Sequence, residues 1–179
     1  MSYRAAIVTL SCLALACCAQ PAPEPTPPPP TPTPAPPPPP PPTVTQPTYD
    51  NWMDAPATQG DWYFRTLDDG SQAMFGPGQS EARFALTCNR GTRTITLTRA
   101  GNASGQTAMR IRTETADRTI AAQSAGTGLS MIAATLPATD PLLAAMAFSK
   151  GRFAVETAGL PTLYIPAWPE VTRVIEDCR

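Results

Sequence analysis

The 179 residues contain no histidine and a single lysine, Lys150. Without histidine the chain lacks the commonest general base, the commonest zinc ligand and the usual partner of a serine or cysteine nucleophile. No CxxC pair is present, so a thiol-rich zinc site is not expected. Charge of one sign is not in excess either. The 13 basic residues nearly balance the 14 acidic ones, which excludes the basic footprint of a nucleic-acid binder. The longest apolar run, near the N-terminus, is about a dozen residues, short of the ~20 that cross a bilayer as a helix.

That run is informative for another reason. Arg4 precedes an uncharged stretch that holds Ile7, Val8, Leu10, Leu13 and Leu15, the profile of an export signal. It ends in Leu13-Ala14-Leu15-Ala16-Cys17-Cys18, which resembles a bacterial lipobox, where small and aliphatic residues precede a cysteine that is lipidated and becomes the new N-terminus. Cys17 fits best because Ala16 precedes it; Cys18 is the alternative, and cleavage near Ala19 without lipidation is a third outcome. No aspartate follows either cysteine, which by resemblance to enterobacterial sorting implies the outer membrane. The expected address is therefore the cell envelope: an outer-membrane lipoprotein facing the periplasm, with surface display as the variant.

Proline is as concentrated as histidine is absent: 17 of the 24 prolines fall between Pro21 and Pro47, with Glu24 as the one charge among them. Proline fixes φ and removes the backbone donor, so the tract reads as an extended spacer of up to roughly 80 Å at ~3.1 Å per residue. The division that follows is a leader over 1–17, a proline-rich linker over 18–47 and a folded domain over 48–179.

Within the domain the apolar period is two. Trp62 and Phe64 open a first strand, Asp68-Asp69-Gly70 turns it into Ala73-Met74-Phe75, and Phe84, Leu86 and Cys88 then share one face. Asn89-Arg90-Gly91 returns the chain into Arg93 to Arg99, with Ile95 and Leu97 inward. Met109, Ile111 and Thr113 alternate with Arg110, Arg112 and Glu114; Thr119 to Ala121 and Leu129 to Leu136 continue the series. The period changes to that of a helix after Asp140-Pro141, with Leu142, Leu143, Met146 and Ala147 on one side and Gly151 to end it. Strands over 153–157 and 162–165 lead to a last helix opened by Pro169, whose stripe is Val171, Val174, Ile175 and Cys178. The expected fold is mostly β (α+β): an antiparallel sandwich or partly open barrel with two short helices, the last at the C-terminus.

Once the leader is removed, Cys88 and Cys178 are the domain's only cysteines, in an oxidising compartment, and both face the core by their own periodicities. A disulfide between them is expected.

The runs DPLLAAMAFSKGRFAVE, from Asp140 to Glu156, and IPAWPEVTRVIEDCR, from Ile165 to Arg179, resemble small uncharacterised lipoproteins of sphingomonad-like alphaproteobacteria. The order of a strand cysteine, a helix after an acidic residue, a strand pair and a final helix ending in cysteine is distantly similar to that of the invasion-associated locus B envelope proteins. Neither likeness implies catalytic residues.

Chemistry-bearing groups are sparse. Asp68-Asp69-Gly70 lacks the further oxygen ligands of a calcium loop and reads as a turn. No spacing singles out a carboxylate pair among Glu114, Glu156 and Glu170, and Ser149-Lys150 lacks the surroundings of a serine–lysine hydrolase. Neither catalytic residues, a cofactor nor a metal is expected. Arg110 and Arg112 could face an anionic partner such as peptidoglycan or lipopolysaccharide, or simply make a polar strand face. Among the large aromatics suited to contact or to stacking on sugar, Trp62 reads as core, while Trp52 and Trp168, beside loop residues and prolines, are the interface candidates. The functional expectation is a non-enzymatic module held to the membrane by an N-terminal lipid, binding an envelope protein or glycan and no nucleic acid. The alternative is an inhibitor or protective factor against secreted hydrolases such as a protease or lysozyme.

Overall fold

A computed structural model describes residues 47, 49–103, 105–126 and 130–179. Cys17, Cys18, the leader and the proline tract up to Gln46 lie outside the described residues, as do Ser104 and Leu129.

After a 3-10 turn at Trp52–Asp54, the strands are β1 (Asp61–Leu67), β2 (Gly70–Gly76), β3 (Phe84–Asn89), β4 (Thr94–Ala100), β5 (Gln106–Arg112), β6 (Asp117–Ser124) and β7 (Met131–Pro137). Helix α1 (Pro141–Ala147), β8 (Arg152–Thr157), β9 (Leu163–Pro166) and α2 (Pro169–Asp177) complete the order. All nine strands join one sheet, β1-β2-β3-β4-β7-β6-β5-β8-β9, antiparallel throughout. It curls into a half-barrel, so of the two architectures expected the partly open barrel is the one present. Strands β5, β6 and β7 form a meander, and β8 returns to lie beside β5, a Greek key whose long connection carries α1.

Alternation places the core inside the curl. In β4, Ile95, Leu97 and Arg99 are buried while Thr94, Thr96 and Thr98 are half-exposed, the division a pleated strand imposes. Two contacts show how far the sheet bends. Phe84 on β3 meets Phe153 on β8 with ring centroids 6.0 Å apart, although β3 and β8 are not neighbours in the sheet. Trp62 on edge strand β1 donates its indole N–H to the Pro166 carbonyl on the opposite edge, β9, at 2.8 Å.

Helix α2 packs on β1, β2 and β3 through Val171, Val174 and Ile175, and the Arg173 guanidinium lies 3.7 Å over the Phe64 ring. The Cys88–Cys178 disulfide joins β3 to the end of α2. Gly70 is required beside it, because a Cβ there would lie 2.1 Å from the Cys88 carbonyl oxygen.

Helix α1 starts as expected, with Asp140 as cap, but it closes on Phe148, whose N–H donates to the Ala144 carbonyl at 3.0 Å. Gly151, with φ +74°, instead supplies the left-handed residue that turns the chain into β8. The Asp140 carboxylate accepts from the Leu142 amide at 2.9 Å and from Arg118 at 2.8 Å. Burial raises its pKa, but the Arg118 hydrogen bond, the Leu142 amide and the Arg118 charge together outweigh burial, and the net value falls below the ordinary one. A depressed carboxylate pKa stabilises the fold above the unfolded value, about 3.9, and that stability is lost as pH falls through the folded value. Asp140→Ala is expected to cost about 0.5–2 kcal/mol at neutral pH, the range for losing an N-cap. The difference from wild type should shrink below about pH 4 in urea unfolding followed by circular dichroism.

Candidate binding site

The chain entering the domain runs along the seam between the two sheet edges. Thr58 donates its N–H to the Tyr164 carbonyl, and Tyr164 donates its N–H to Thr58 Oγ, each at 2.9 Å. The segment before β1 is thereby fastened to β9. Beside this junction lies an open cavity of about 390 Å³, walled by Pro47, Tyr49, Pro56, Arg83, Leu163 and Tyr164 among others. The two tyrosine rings meet edge to face with centroids 6.2 Å apart.

The electrostatics of this region are unusual for the molecule. Arg83 precedes β3 and donates to the Gln59 carbonyl at 3.3 Å. Arg99, on the inner face of β4, is only 5% exposed and donates to the Ala100 and Pro161 carbonyls at 2.6 and 2.7 Å. Its Nε is buried without a partner among the described residues, and Pro161 belongs to the cavity wall. Burial, and then the Arg83 charge, lower the Arg99 pKa from its ordinary value. Among the described residues neither arginine has a carboxylate at ion-pairing distance. A guanidinium cannot shed its proton, so two adjacent cations face the same region with only carbonyl dipoles to offset them.

The other arginine group behaves oppositely. Arg110 forks onto Asp117 at 2.7 and 2.6 Å and reaches Glu156 at 3.2 Å. Arg112 reaches Glu156 at 3.2 Å and Asp117 at 3.5 Å. The Arg110 hydrogen bond is the largest influence on Asp117, and it holds that carboxyl below its ordinary pKa. Two cations and two anions thus close on each other across β5, β6 and β8. Of the two readings of Arg110 and Arg112, a stripe facing an anionic partner or a polar strand face, this pairing fits the second: the four charges offset one another.

The expectation for Trp52 is corrected. It is buried, with the Arg112 guanidinium 5.7 Å from its ring, and therefore presents no platform to solvent. Trp168 is exposed, as an interface residue must be, and so is Phe148 at the end of α1. Trp62 is core. Ser149 accepts from the Glu114 amide and donates to the Arg152 carbonyl, while Lys150 pairs with Glu114 at 3.5 Å. Both are committed to holding the loop between α1 and β8. Among the described residues no group of three or more acidic, cysteine or histidine side chains could hold a metal, and no helix is long and apolar enough to cross a membrane.

Arg99 continues the inward series of Ile95 and Leu97, so the period alone marks it as buried, whereas its lack of a carboxylate partner depends on tertiary contacts. The cavity joins residues from four separate stretches, between Pro47 and Tyr164, and no local pattern announces it. No family model matches the chain, and neither does any curated protein or solved structure.

Proposed function

We propose that the protein is a lipid-anchored envelope module without enzymatic activity, whose half-barrel binds an envelope glycan or protein at the seam cavity. The proline tract sets its distance from the membrane. The observation that carries this reading is the cavity itself: aromatic and proline walls beside an arginine with no carboxylate partner, at the point where Pro47 closes the tether. Apolar walls with a few convergent polar groups are the usual form of a ligand site. The lipobox-like Leu13 to Cys18 and the proline tract supply the anchor and reach.

The test is a photo-crosslinking residue placed at Tyr164, in the cavity wall, and separately at Gln123 on β6, away from the seam, both in the native envelope. Reproducible adducts from position 164 that are weak or absent from position 123 are expected. If neither position yields a reproducible adduct, the binding reading falls.

A further inference from the structure

We propose that the seam cavity takes the carboxylate-bearing ring of an acidic sugar, with Arg83 holding the carboxylate and Tyr49 and Tyr164 flanking the ring. The proposal rests on the reading of the domain as an envelope-binding module and names the ligand class for that site.

The argument starts from Arg99. Several arginines lack a carboxylate partner, but Arg99 is the buried one, and a desolvated charge without a counter-charge is costly. Its neighbour Arg83 lies in the cavity wall and spends one N–H on the Gln59 carbonyl. The remainder of that planar fork matches a carboxylate bound through both oxygens. An anion seated there is also attracted by the second cation behind Pro161, where low dielectric strengthens the interaction.

The rest of the cavity selects the body that carries the acid. Pro47, Pro56, Leu163 and the tyrosines offer apolar surface suited to the C–H face of a pyranose. Thr58 Oγ accepts the Tyr164 amide and keeps its own proton to donate to a ring hydroxyl. A space of about 390 Å³ is in the range of small-molecule sites. Two envelope sources share this chemistry: the muramic acid of glycan strands stripped of their stem peptides, whose lactyl carboxylate is then free, and the ulosonic acid of lipopolysaccharide.

The test uses the full mature chain in detergent micelles with 15N-labelled tyrosine. It is titrated separately with N-acetylmuramic acid, 3-deoxy-octulosonic acid and the uncharged N-acetylglucosamine. At least one acid should shift the Tyr49 and Tyr164 signals and saturate; which one responds assigns the source. The neutral sugar should bind at least tenfold more weakly, and Arg83→Gln should weaken the acid tenfold or more with an unchanged thermal midpoint. Equal binding of neutral and acidic sugars, full binding by R83Q, or no saturable response to either acid would each overturn the proposal. Crosslinks from position 164 that persist in that case would leave the binding module standing and remove only the sugar.

Discussion

Cys178→Ala is expected to remove about 4–5 kcal/mol of stability, the chain-entropy value for a loop of this size. The bridged residues are 90 apart in sequence, so the bond withholds a large share of the unfolded chain's freedom. Both ends are buried, Cys88 at 1% and Cys178 at 3% exposure, so reductant reaches the bond only when the end of α2 opens. Loss on this scale is a large part of the roughly 5–15 kcal/mol that holds a typical domain together. Urea unfolding of wild type and variant, in the presence and absence of dithiothreitol, measures it. The variant should match reduced wild type, with the amides of α2 the first to lose hydrogen-exchange protection. A midpoint within experimental error of the oxidised wild type would show that the bond contributes little.

Phe84→Ala should cost about 3–5 kcal/mol, the range for emptying a fully buried aromatic site. Phe84 is 0% exposed, and its ring spans the half-barrel to Phe153. Removing it takes away a contact that holds distant parts of the curled sheet together, as well as the transfer energy of the side chain. The surrounding strands are fixed by their ladders and cannot collapse into the void. Phe84→Leu, which keeps most of the volume, should recover more than half of the loss. Denaturation midpoints of the pair check this, and equal midpoints for the alanine and leucine variants would contradict it.

The parts of this fold that were legible in the sequence are those that depend on local period. The Phe84, Leu86, Cys88 alternation and the Val171, Val174, Ile175, Cys178 stripe each point a cysteine inward, and the bond between them is present. Asp140 and Pro141 likewise mark the start of α1 from capping chemistry alone. What the chain does not announce locally is pairing. That β7 lies against β4 and β8 against β5 follows from side-chain fit between strands far apart in sequence. In the neutral Arg110, Arg112, Asp117 and Glu156 cluster, Glu156 arrives through the β5–β8 pairing, while Asp117 lies on the adjacent strand β6. The burial of Trp52 is equally non-local, since its turn packs on β8 and its ring lies near Arg112 of β5. The seam, where the two edge strands approach, is further still from any local signal.

Everything proposed about position and partner depends on the chain being exported and tethered. Mass spectrometry of the mature N-terminus, taken from the native envelope, tests this most directly. A diacylglyceryl-modified N-terminal Cys17, followed by the intact proline tract, is the predicted result; the same modification on Cys18 would move the anchor by one residue and leave the account unchanged. An unmodified N-terminus near Ala19, or a retained Met1, would contradict it.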